Sequence, residues 1–319
     1  MLVVPVAVCL LSVAHAGVVG VCPRSPGDTA LSGIANAGDG VFWAADDSGK
    51  IVKGRIVFKV GDSGPGPLSW TRLERFGCPG VVDPEGIAYD KADGTLWVAD
   101  EGSSDIWHVD PATRSVLGKV EMPPIYRTVE KNRGIESLAI GNDGLTLWTA
   151  NEDELPGDEG SGCVRLQRFS RTSVTNDWKA SGQWAYPLTH ELKVRKLKIR
   201  NGLSELCVTP SGELLALERE KIRLKKSSAI PQFRLRIFRI GFEGASDVSA
   251  VPRLRPDGFV PLKKHEVCDM RTGGAMYEAI CAGPALMDGS SSFVLVSDGD
   301  KDCEEKVMVL TLPTQEHER

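Results

Sequence analysis

Short apolar runs on either side of a glycine-containing turn recur along the chain. Five copies of this pattern can be aligned, at residues 34–46, 85–101, 136–152, 205–218 and 278–298. Because glycine accepts a positive φ, the Asp-Gly and Ser-Gly pairs between the runs predict tight turns. The pattern therefore predicts a β-hairpin in every copy.

The hydrophobic period indicates how these strands are buried. Residues 95–99 are apolar on both faces of the predicted strand, which indicates burial on both sides. A further strand follows each hairpin, and its apolar and polar residues alternate, which predicts one buried and one solvated face. Trp43, Trp97 and Trp148 fall at equivalent positions of the repeat and are predicted to pack between neighbouring units.

The spacing of the turns predicts the architecture. The turn glycines fall at positions 40, 94, 144, 212 and 289, so successive gaps are 54, 50, 68 and 77 residues. A propeller blade of four strands takes roughly 40–50 residues. The sequence therefore predicts an all-β β-propeller. Six blades are favoured because the wide gaps could hold an unrecognised blade, and five are also compatible.

Composition and charge narrow the class of protein. The chain has 319 residues, of which 41% are hydrophobic and 25% charged, as in ordinary globular proteins. A formal net charge of −5 gives no support for nucleic-acid binding. No stretch is long and apolar enough to predict a membrane span. We expect a monomer that acts on a small molecule.

The N-terminal residues 1–16 resemble a targeting segment. They form a short apolar stretch that ends in Ala14-His15-Ala16, a small-x-small cleavage pattern. No basic residue precedes the apolar stretch, and the alternative is a truncated start or a buried first strand. The sequence predicts a signal peptide at 1–16, a single domain at 17–319 and a secreted or extracytoplasmic location.

The cysteines contain no C-x-x-C pair, and an oxidising compartment would permit disulfides. Eight cysteines are present, and seven remain after removal of the predicted signal peptide. Cys207 and Cys281 lie in apolar runs and are predicted to be buried. Cys22 and Cys303 lie near the two ends of the mature chain, so a disulfide between them is a hypothesis for how the ring closes.

Acidic residues recur at the open ends of the predicted hairpins. The first strand of a hairpin begins, and the second ends, on the side away from the turn. First strands begin at Glu85, Glu136, Glu205 and Glu278, and second strands end at Asp100, Glu152 and Asp298, with doubled acids at 46–47 and 100–101. These carboxylates are therefore expected to gather at one mouth of the central channel.

Clustered carboxylates repel one another, and three compensations remain open. A hard cation such as Ca²⁺ binds six to eight oxygen ligands and suits such a ring. Arg133 and Arg219, which adjoin these motifs, could pair with carboxylates or with an anionic substrate. Alternatively, the acids are structural and bind backbone N–H groups of a neighbouring blade.

Basic residues concentrate in two segments, 193–200 and 221–226. The first alternates basic and apolar residues, which predicts an exposed strand. We interpret both segments as solvated faces of edge strands, and a site for a polyanion is the alternative.

Four motifs in order resemble the phytase-like propeller family, known as "esterase-like activity of phytase". They occupy residues 83–86 with 94–101, residues 132–139 with 147–152, residues 214–219, and residues 277–280 with 295–300. The resemblance extends over residues 34–312. It departs from the family at Ser137, where members usually have glycine. It implies an exported propeller that acts on phosphoesters with Ca²⁺.

The resulting hypothesis is Ca²⁺-assisted phosphoester hydrolysis. The residues expected to hold cations and act in catalysis are Glu85, Glu136, Glu205 and Glu278, with Asp100, Glu152 and Asp298 as additional metal ligands and Arg133 and Arg219 as the phosphate clamp. Two alternatives stay open: a metal-dependent hydrolase of carboxylic esters or lactones, and a non-catalytic binding propeller.

Overall fold

The protein folds as a ring of five four-stranded antiparallel sheets, a five-bladed β-propeller. A computed structural model describes residues 16–24, 30–61, 64–128, 134–189, 197–224, 231–299 and 303–313. The predicted signal peptide lies outside these residues, apart from Ala16. The all-β propeller is confirmed, and the blade number is five, the smaller of the two numbers compatible with the sequence.

Four blades are each built from four consecutive strands. Blade 1 contains β2 (Leu31–Gly38), β3 (Val41–Asp46), β4 (Lys50–Gly61) and β5 (Gly64–Phe76). Blade 2 contains β6 (Pro84–Asp90), β7 (Thr95–Asp100), β8 (Asp105–Asp110) and β9 (Ser115–Lys119). Blade 3 contains β10 (Ile135–Ile140), β11 (Thr146–Asn151), β12 (Cys163–Ser170) and β13 (Lys179–Pro187), and follows a 3₁₀-helix at Pro124–Thr128. Blade 4 contains β14 (Leu197–Val208), β15 (Leu214–Leu224), β16 (Gln232–Gly241) and β17 (Lys263–Gly273).

Blade 5 joins the two ends of the chain. It contains β18 (Met276–Ala282), β19 (Ser292–Asp298) and β20 (Lys306–Thr311), and its outermost strand is the N-terminal β1 (Gly17–Pro23). β1 pairs with β20, with Cys22 opposite Val307. Among the seven cysteines that the structure describes, no disulfide forms. The hypothesis of a Cys22–Cys303 bridge is therefore not shown: backbone hydrogen bonds between β1 and β20 close the ring, and Cys22 packs in the core.

Apolar layers between the blades hold the ring together. β7 is buried at every position, as its two-sided apolar pattern predicts. Trp43 packs with Ile87 and Val98 of blade 2, and Trp97 packs with residues of blade 3. Trp148 packs against the core shared with blade 4, so the three tryptophans lie between blades as predicted.

The long spacings between the last turns do not contain a further sheet within their described residues, which leave out 190–196 and 225–230. They are occupied by the long strands of blade 4 and by the connection between β16 and β17. This connection lies along blade 3, where Val248 N donates to Gln183 O at 2.7 Å and Leu262 N donates to Ala185 O at 2.9 Å. It therefore covers the outer strand of blade 3.

The first and second strands of each blade form its inner hairpin. The turn of every inner hairpin contains the predicted glycine. The φ angles are 71° at Gly40, 77° at Gly94, 67° at Gly144, 88° at Gly212 and 84° at Gly289. These five turns lie on one face of the ring, called here the turn face. The opposite face, where first strands begin and second strands end, is called the mouth. Within the described ranges, we find no helix that combines the length and the apolar character needed to span a membrane.

Candidate functional site

The first strand of each blade has a β-bulge at an equivalent place in all five blades, near the start of the strand in four of them and at Ser204 within the longer β14. Pairing with the second strand skips one residue, for example between Ile135 and Ser137, and in blade 2 the skipped interval contains Glu85 and Gly86. A bulge leaves a residue unpaired and changes the direction of its side chain. The bulge residues around the ring are Ser32, Glu85, Glu136, Ser204 and Glu278. Three of the predicted glutamates thus share one structural position.

Opposite each bulge, the second strand of the blade carries two successive residues with different environments, at the end of the strand in four blades and within the longer β15 in blade 4. The first residue lies opposite the one before the bulge and is buried: Asp46, Asp100, Asn151, Glu218 and Ser297. The next residue lies at the mouth beside the bulge: Asp47, Glu101, Glu152, Arg219 and Asp298. Strand alternation therefore decides which member of each pair turns into the blade.

Asp100 shows what the buried position does. Its carboxylate accepts hydrogen bonds from the backbone N–H groups of Val82 at 3.2 Å, Asp83 at 3.1 Å and Gly102 at 3.2 Å. It also accepts one from Trp107 Nε1 at 3.2 Å. Both oxygens of this predicted metal ligand therefore bind blade 2 itself.

Blade 2 contributes three carboxylates that converge at the mouth. Oxygen atoms of Asp83, Glu85 and Glu101 lie within 4.8 Å of one another. Glu101 accepts a hydrogen bond from Gly134 N at 3.3 Å and shares another with the Glu136 side chain. The contact with Glu136 joins the carboxylates of blade 2 to those of blade 3.

The crowding of carboxylates at the mouth, together with their burial, raises their pKa values. Burial, followed by the charges of Asp298 and Asp83, raises the pKa of Asp47 to about 7, although Ser32 donates a hydrogen bond to it. Burial and the neighbouring Asp298 raise the pKa of Glu278 to about 8, although Arg219 opposes the shift. These carboxyl groups can therefore hold protons near neutral pH.

The same causes act on the carboxyls between them. Burial, and then the charges of neighbouring acids, raise the pKa values of Glu85 and Glu136 well above the ordinary range. Burial also raises the pKa of Glu101. The mouth thus favours protonation or a compensating cation.

Arg219 is a cation placed among these acids. It pairs with Glu152 at 2.6 Å and with Glu278, so it connects blades 3, 4 and 5. Burial lowers its pKa, but Glu278, Glu152 and Glu136 act more strongly together and the net shift is upward. Arg219 therefore stays charged and neutralises part of the mouth.

Glu205 lies apart from the other predicted glutamates. The repeat alignment placed it with Glu136, whereas strand pairing places Ser204 there and Glu205 one residue further into the channel. Glu205 is 1% exposed, and its Oε1 accepts from Leu138 N at 2.9 Å and Leu206 N at 3.0 Å. Burial raises its pKa well above the ordinary value.

An apolar layer lies beyond Glu205 in the channel. It consists of five buried residues at equivalent positions, Ile34, Ile87, Leu138, Leu206 and Ile280. The same residues line a cavity of about 480 Å³ on the turn-face side. The carboxylates and this cavity are therefore on opposite sides of an apolar layer.

The remaining sequence features lie elsewhere. Arg133, expected to clamp a phosphate, and His190 are outside the described residues. Ser137 turns its hydroxyl toward its own blade, where it accepts from Ala150 N at 3.0 Å. His108 stacks on Trp97 with ring centroids 4.0 Å apart, away from the mouth carboxylates.

Three mouth carboxylates were not among the predicted ligands: Asp47, Asp83 and Glu101. The sequence showed the doubled acids at 46–47 and 100–101 but not which member of each pair faces the mouth. Glu152 and Arg219 are the second residues of the equivalent pairs in blades 3 and 4, and the sequence analysis had already selected both as site residues. Applied to blades 1 and 2, the same alternation selects Asp47 and Glu101.

The donor set fits a hard cation. Ca²⁺ binds six to eight oxygens, mainly carboxylates, carbonyls and waters. Asp83, Glu85 and Glu101 already place oxygens close together, and Glu136 adjoins them. A cation here would also favour the ionised forms of carboxyls whose pKa values burial has raised.

Comparison with known proteins identifies one matching family. The sequence model of the family described as "Phytase-like: Esterase-like activity of phytase" matches residues 28–301. This range includes all the mouth residues named above. No curated protein matches the chain.

Solved structures with a similar fold include three at low sequence identity. Hydrazine synthase of Kuenenia stuttgartiensis has 13% identity and a TM-score of 0.39, over 90% of this chain and 64% of that chain. A nidogen/laminin complex has 12% identity and a TM-score of 0.40, over 85% and 73%. The β-propeller domain of Myceliophteria thermophila Cps50 (Swd1) has 8% identity and a TM-score of 0.36, over 89% and 84%. The chain therefore spans less than two thirds of the hydrazine synthase chain.

Proposed function

The chain belongs to the phytase-like family, and from this premise we propose that it is an exported hydrolase of phosphoesters whose mouth carboxylates hold Ca²⁺. One observation carries the proposal. Carboxylates from blades 1, 2, 3 and 5 meet at one mouth, and their pKa values are raised because they are buried and face one another. Such an arrangement is costly without a compensating charge.

The residues divide into two groups by role. Asp83, Glu85 and Glu101 would hold the cation, with Glu136 beside them. When bound, Ca²⁺ supplies positive charge that neutralises phosphoryl oxygens and favours attack by water.

Arg219 and Glu278 would act on the substrate side of the mouth. Arg219 holds Glu152 and Glu278 in place, and its side chain is 19% exposed, so part of the guanidinium can bind a phosphoryl oxygen. Glu278, with a pKa of about 8, can hold a proton at its carboxyl group and donate it to the leaving oxygen.

The test combines binding with turnover. Thermal unfolding of the mature protein is measured in EDTA and then in Ca²⁺, beside turnover of a generic phosphomonoester and a generic carboxylic ester. We expect a Ca²⁺-dependent rise in Tm together with phosphoester turnover. Glu85→Gln should lose both effects, whereas the exposed Glu121→Gln should retain them as the matched control.

The two alternatives give different results in the same experiment. Turnover of the carboxylic ester alone would replace the phosphoesterase with an ester or lactone hydrolase. A Ca²⁺-dependent rise in Tm without turnover of either substrate would mean a binding propeller. No response to Ca²⁺ would refute the proposed cation site.

Export is the remaining part of the proposal. The apolar N-terminal stretch supports it, and cleavage after Ala16 would leave β1 complete from Gly17. The measurement is N-terminal sequencing of protein recovered outside the producing cell. We expect Gly17 as the first residue, and a chain retained inside the cell with Met1 intact would contradict export.

A further inference from the structure

The central channel ends on the turn face in a cavity that is separate from the mouth. Its volume is about 480 Å³, and its floor is the apolar layer described above, whose five residues are at most 2% exposed. We call this cavity the turn-face cup. Pockets of roughly 300–1,000 Å³ take small organic ligands, so the cup has the size of a binding site.

Small side chains explain why the channel widens above this floor. The residue after each floor residue is an alanine in blades 1 to 3 and a cysteine in blades 4 and 5: Ala35, Ala88, Ala139, Cys207 and Cys281. Their partners on the second strands are larger: Trp43, Trp97, Trp148, Leu215 and Val294. The bulk of each blade therefore lies away from the channel axis, and space remains along it.

The charged residues that line the cup lie toward its opening. Of the described lining residues, those with a charge are Asp90, Lys91 and Asp143, at the turn end of β6 or in the turns after β6 and β10. Asp90 is paired with Arg171 at 2.5 Å, and Lys91 and Asp143 are exposed. Burial raises the pKa of both cysteine thiols in the wall, so the thiols stay neutral. A charged ligand would therefore lose its hydration deep in the cup without gaining an ionic partner.

Backbone groups supply the polar part of the wall. Gly141 N donates to Thr146 O at 2.8 Å, so Gly141 uses its N–H within its own blade. In an antiparallel pair, hydrogen-bonded residues alternate with residues whose N–H and C=O point away from the partner strand. Ile140, the residue before Gly141, therefore turns both groups toward the channel. The equivalent residues in blades 2, 4 and 5 are Tyr89, Val208 and Ala282.

The contacts of Ala282 illustrate this direction. Its carbonyl accepts a hydrogen bond from Asn36 Nδ2 of blade 1 at 2.8 Å, and its N–H donates to Cys207 Sγ of blade 4. Both groups of Ala282 thus point away from its own sheet, toward the first strands of the two neighbouring blades. Tyr89 and Ile140 also line the cup, where the same groups can bind a polar atom of a ligand.

Two asparagines hold the wall in a fixed shape near the turn face. The bond from Asn36 to Ala282 connects blades 1 and 5, and Asn36 Oδ1 accepts from Gly38 N at 2.8 Å. Asn142 Nδ2 connects blades 3 and 4 by donating to Thr209 O at 2.9 Å. Because the cup is formed before a ligand arrives, binding does not have to order its wall.

From this arrangement we propose that the turn-face cup binds an uncharged alcohol with an apolar chain or ring. The apolar part would rest on the floor, against Leu138 and Leu206, and the hydroxyl group would meet the backbone groups of Tyr89 and Ile140. An anionic phosphoester does not suit this cavity. The cup is therefore a second site, and it does not depend on the hydrolysis proposed for the mouth.

The experiment is equilibrium dialysis of the mature protein against 1-octanol and against octanoate at pH 8. The two probes have the same chain length, and only octanoate is charged at this pH. We expect saturable binding of one 1-octanol per chain, and binding of octanoate that is weaker by at least about tenfold, because its charge would lose hydration. No saturable binding of 1-octanol, or equal binding of the two probes, would overturn the proposal.

A tryptophan placed in the wall locates the bound molecule. Ile140→Trp puts an indole at the cup, and its emission is the difference between the variant and the wild type. The brominated alcohol 8-bromo-1-octanol should quench this emission, because bromine quenches a fluorophore at close range, whereas 1-octanol should not. Leu117→Trp, at a position 54% exposed on β9, is the matched control and should not be quenched. Equal quenching of the two reporters would refute binding in the cup, and Val208→Trp replaces the first reporter if Ile140→Trp fails to fold.

Discussion

Replacement of Asp47 by asparagine should make the metal-free protein more stable at high pH. Burial is the main reason that the pKa of Asp47 is about 7 rather than 3.8, with Asp298 and Asp83 contributing. In the unfolded chain this carboxyl titrates near 3.9. Between these values the folded state binds more protons than the unfolded state, so the free energy of unfolding falls as pH rises.

The size of the effect follows from the shift. A pKa raised from 3.8 to about 7 corresponds to about 4 kcal/mol in the free energy of unfolding of the wild type. This contribution to stability is present in full below pH 4 and is lost as pH rises through 7. Asparagine has no such charge to bury. In EDTA at pH 8 the variant should therefore exceed the wild type by up to about 4 kcal/mol, and at pH 4 the difference should vanish.

The assay is urea unfolding of wild type and variant in EDTA, followed by tryptophan fluorescence across pH 4–8. Comparing the two proteins cancels the titration of the groups that do not interact with Asp47. Asp177→Asn, a change at an exposed carboxylate, is the matched control and should leave the difference near zero at every pH. Parallel curves for wild type and Asp47→Asn would refute the reasoning that Asp47 is ionised at a cost.

Three further predictions concern other parts of the ring. Glu136→Gln should abolish Ca²⁺ stabilisation and turnover but keep the fold, because it removes a mouth carboxylate and preserves its shape; unchanged activity would remove Glu136 from the site. Gly86→Ala should destabilise the protein by roughly 1–3 kcal/mol, because the new Cβ would lie 2.7 Å from backbone atoms of the neighbouring blade, whereas Gly118→Ala meets nothing within 4 Å. Equal melting temperatures for these two variants would contradict the close packing of inner strands. Arg165→Met should cost about 3–5 kcal/mol in urea unfolding, because it leaves the buried Asp158 without its partner at 2.6 Å, and a loss below 1 kcal/mol would exclude that role.

The sequence was sufficient for the elements of the propeller. The repeat, the two-sided apolar strands and the turn glycines are local features, because side-chain period and positive φ depend on neighbouring residues. All five turn glycines adopt the expected conformation. The convergence of carboxylates also followed, since the open ends of hairpins that form one ring must lie on the same face.

The local sequence pattern was not sufficient to determine the number of blades. The spacing from Gly144 to Gly289 is compatible with a further blade until the partners of each strand are known. The structure assigns these residues to long strands in blade 4 and to a connection that covers blade 3. Strand partners depend on contacts distant in sequence, which periodicity does not contain.

The residues of the candidate site show most clearly what the sequence determined and what only the tertiary structure decided. From the sequence alone came the acidic repeat at the open ends of the hairpins, with Glu85, Glu136 and Glu278 at one position of the ring. Only the tertiary structure placed Ser204 at that position in blade 4 and Glu205 one residue deeper. The physical reason is that a bulge shifts the register by one residue, and a shift of one residue exchanges the two faces of a strand.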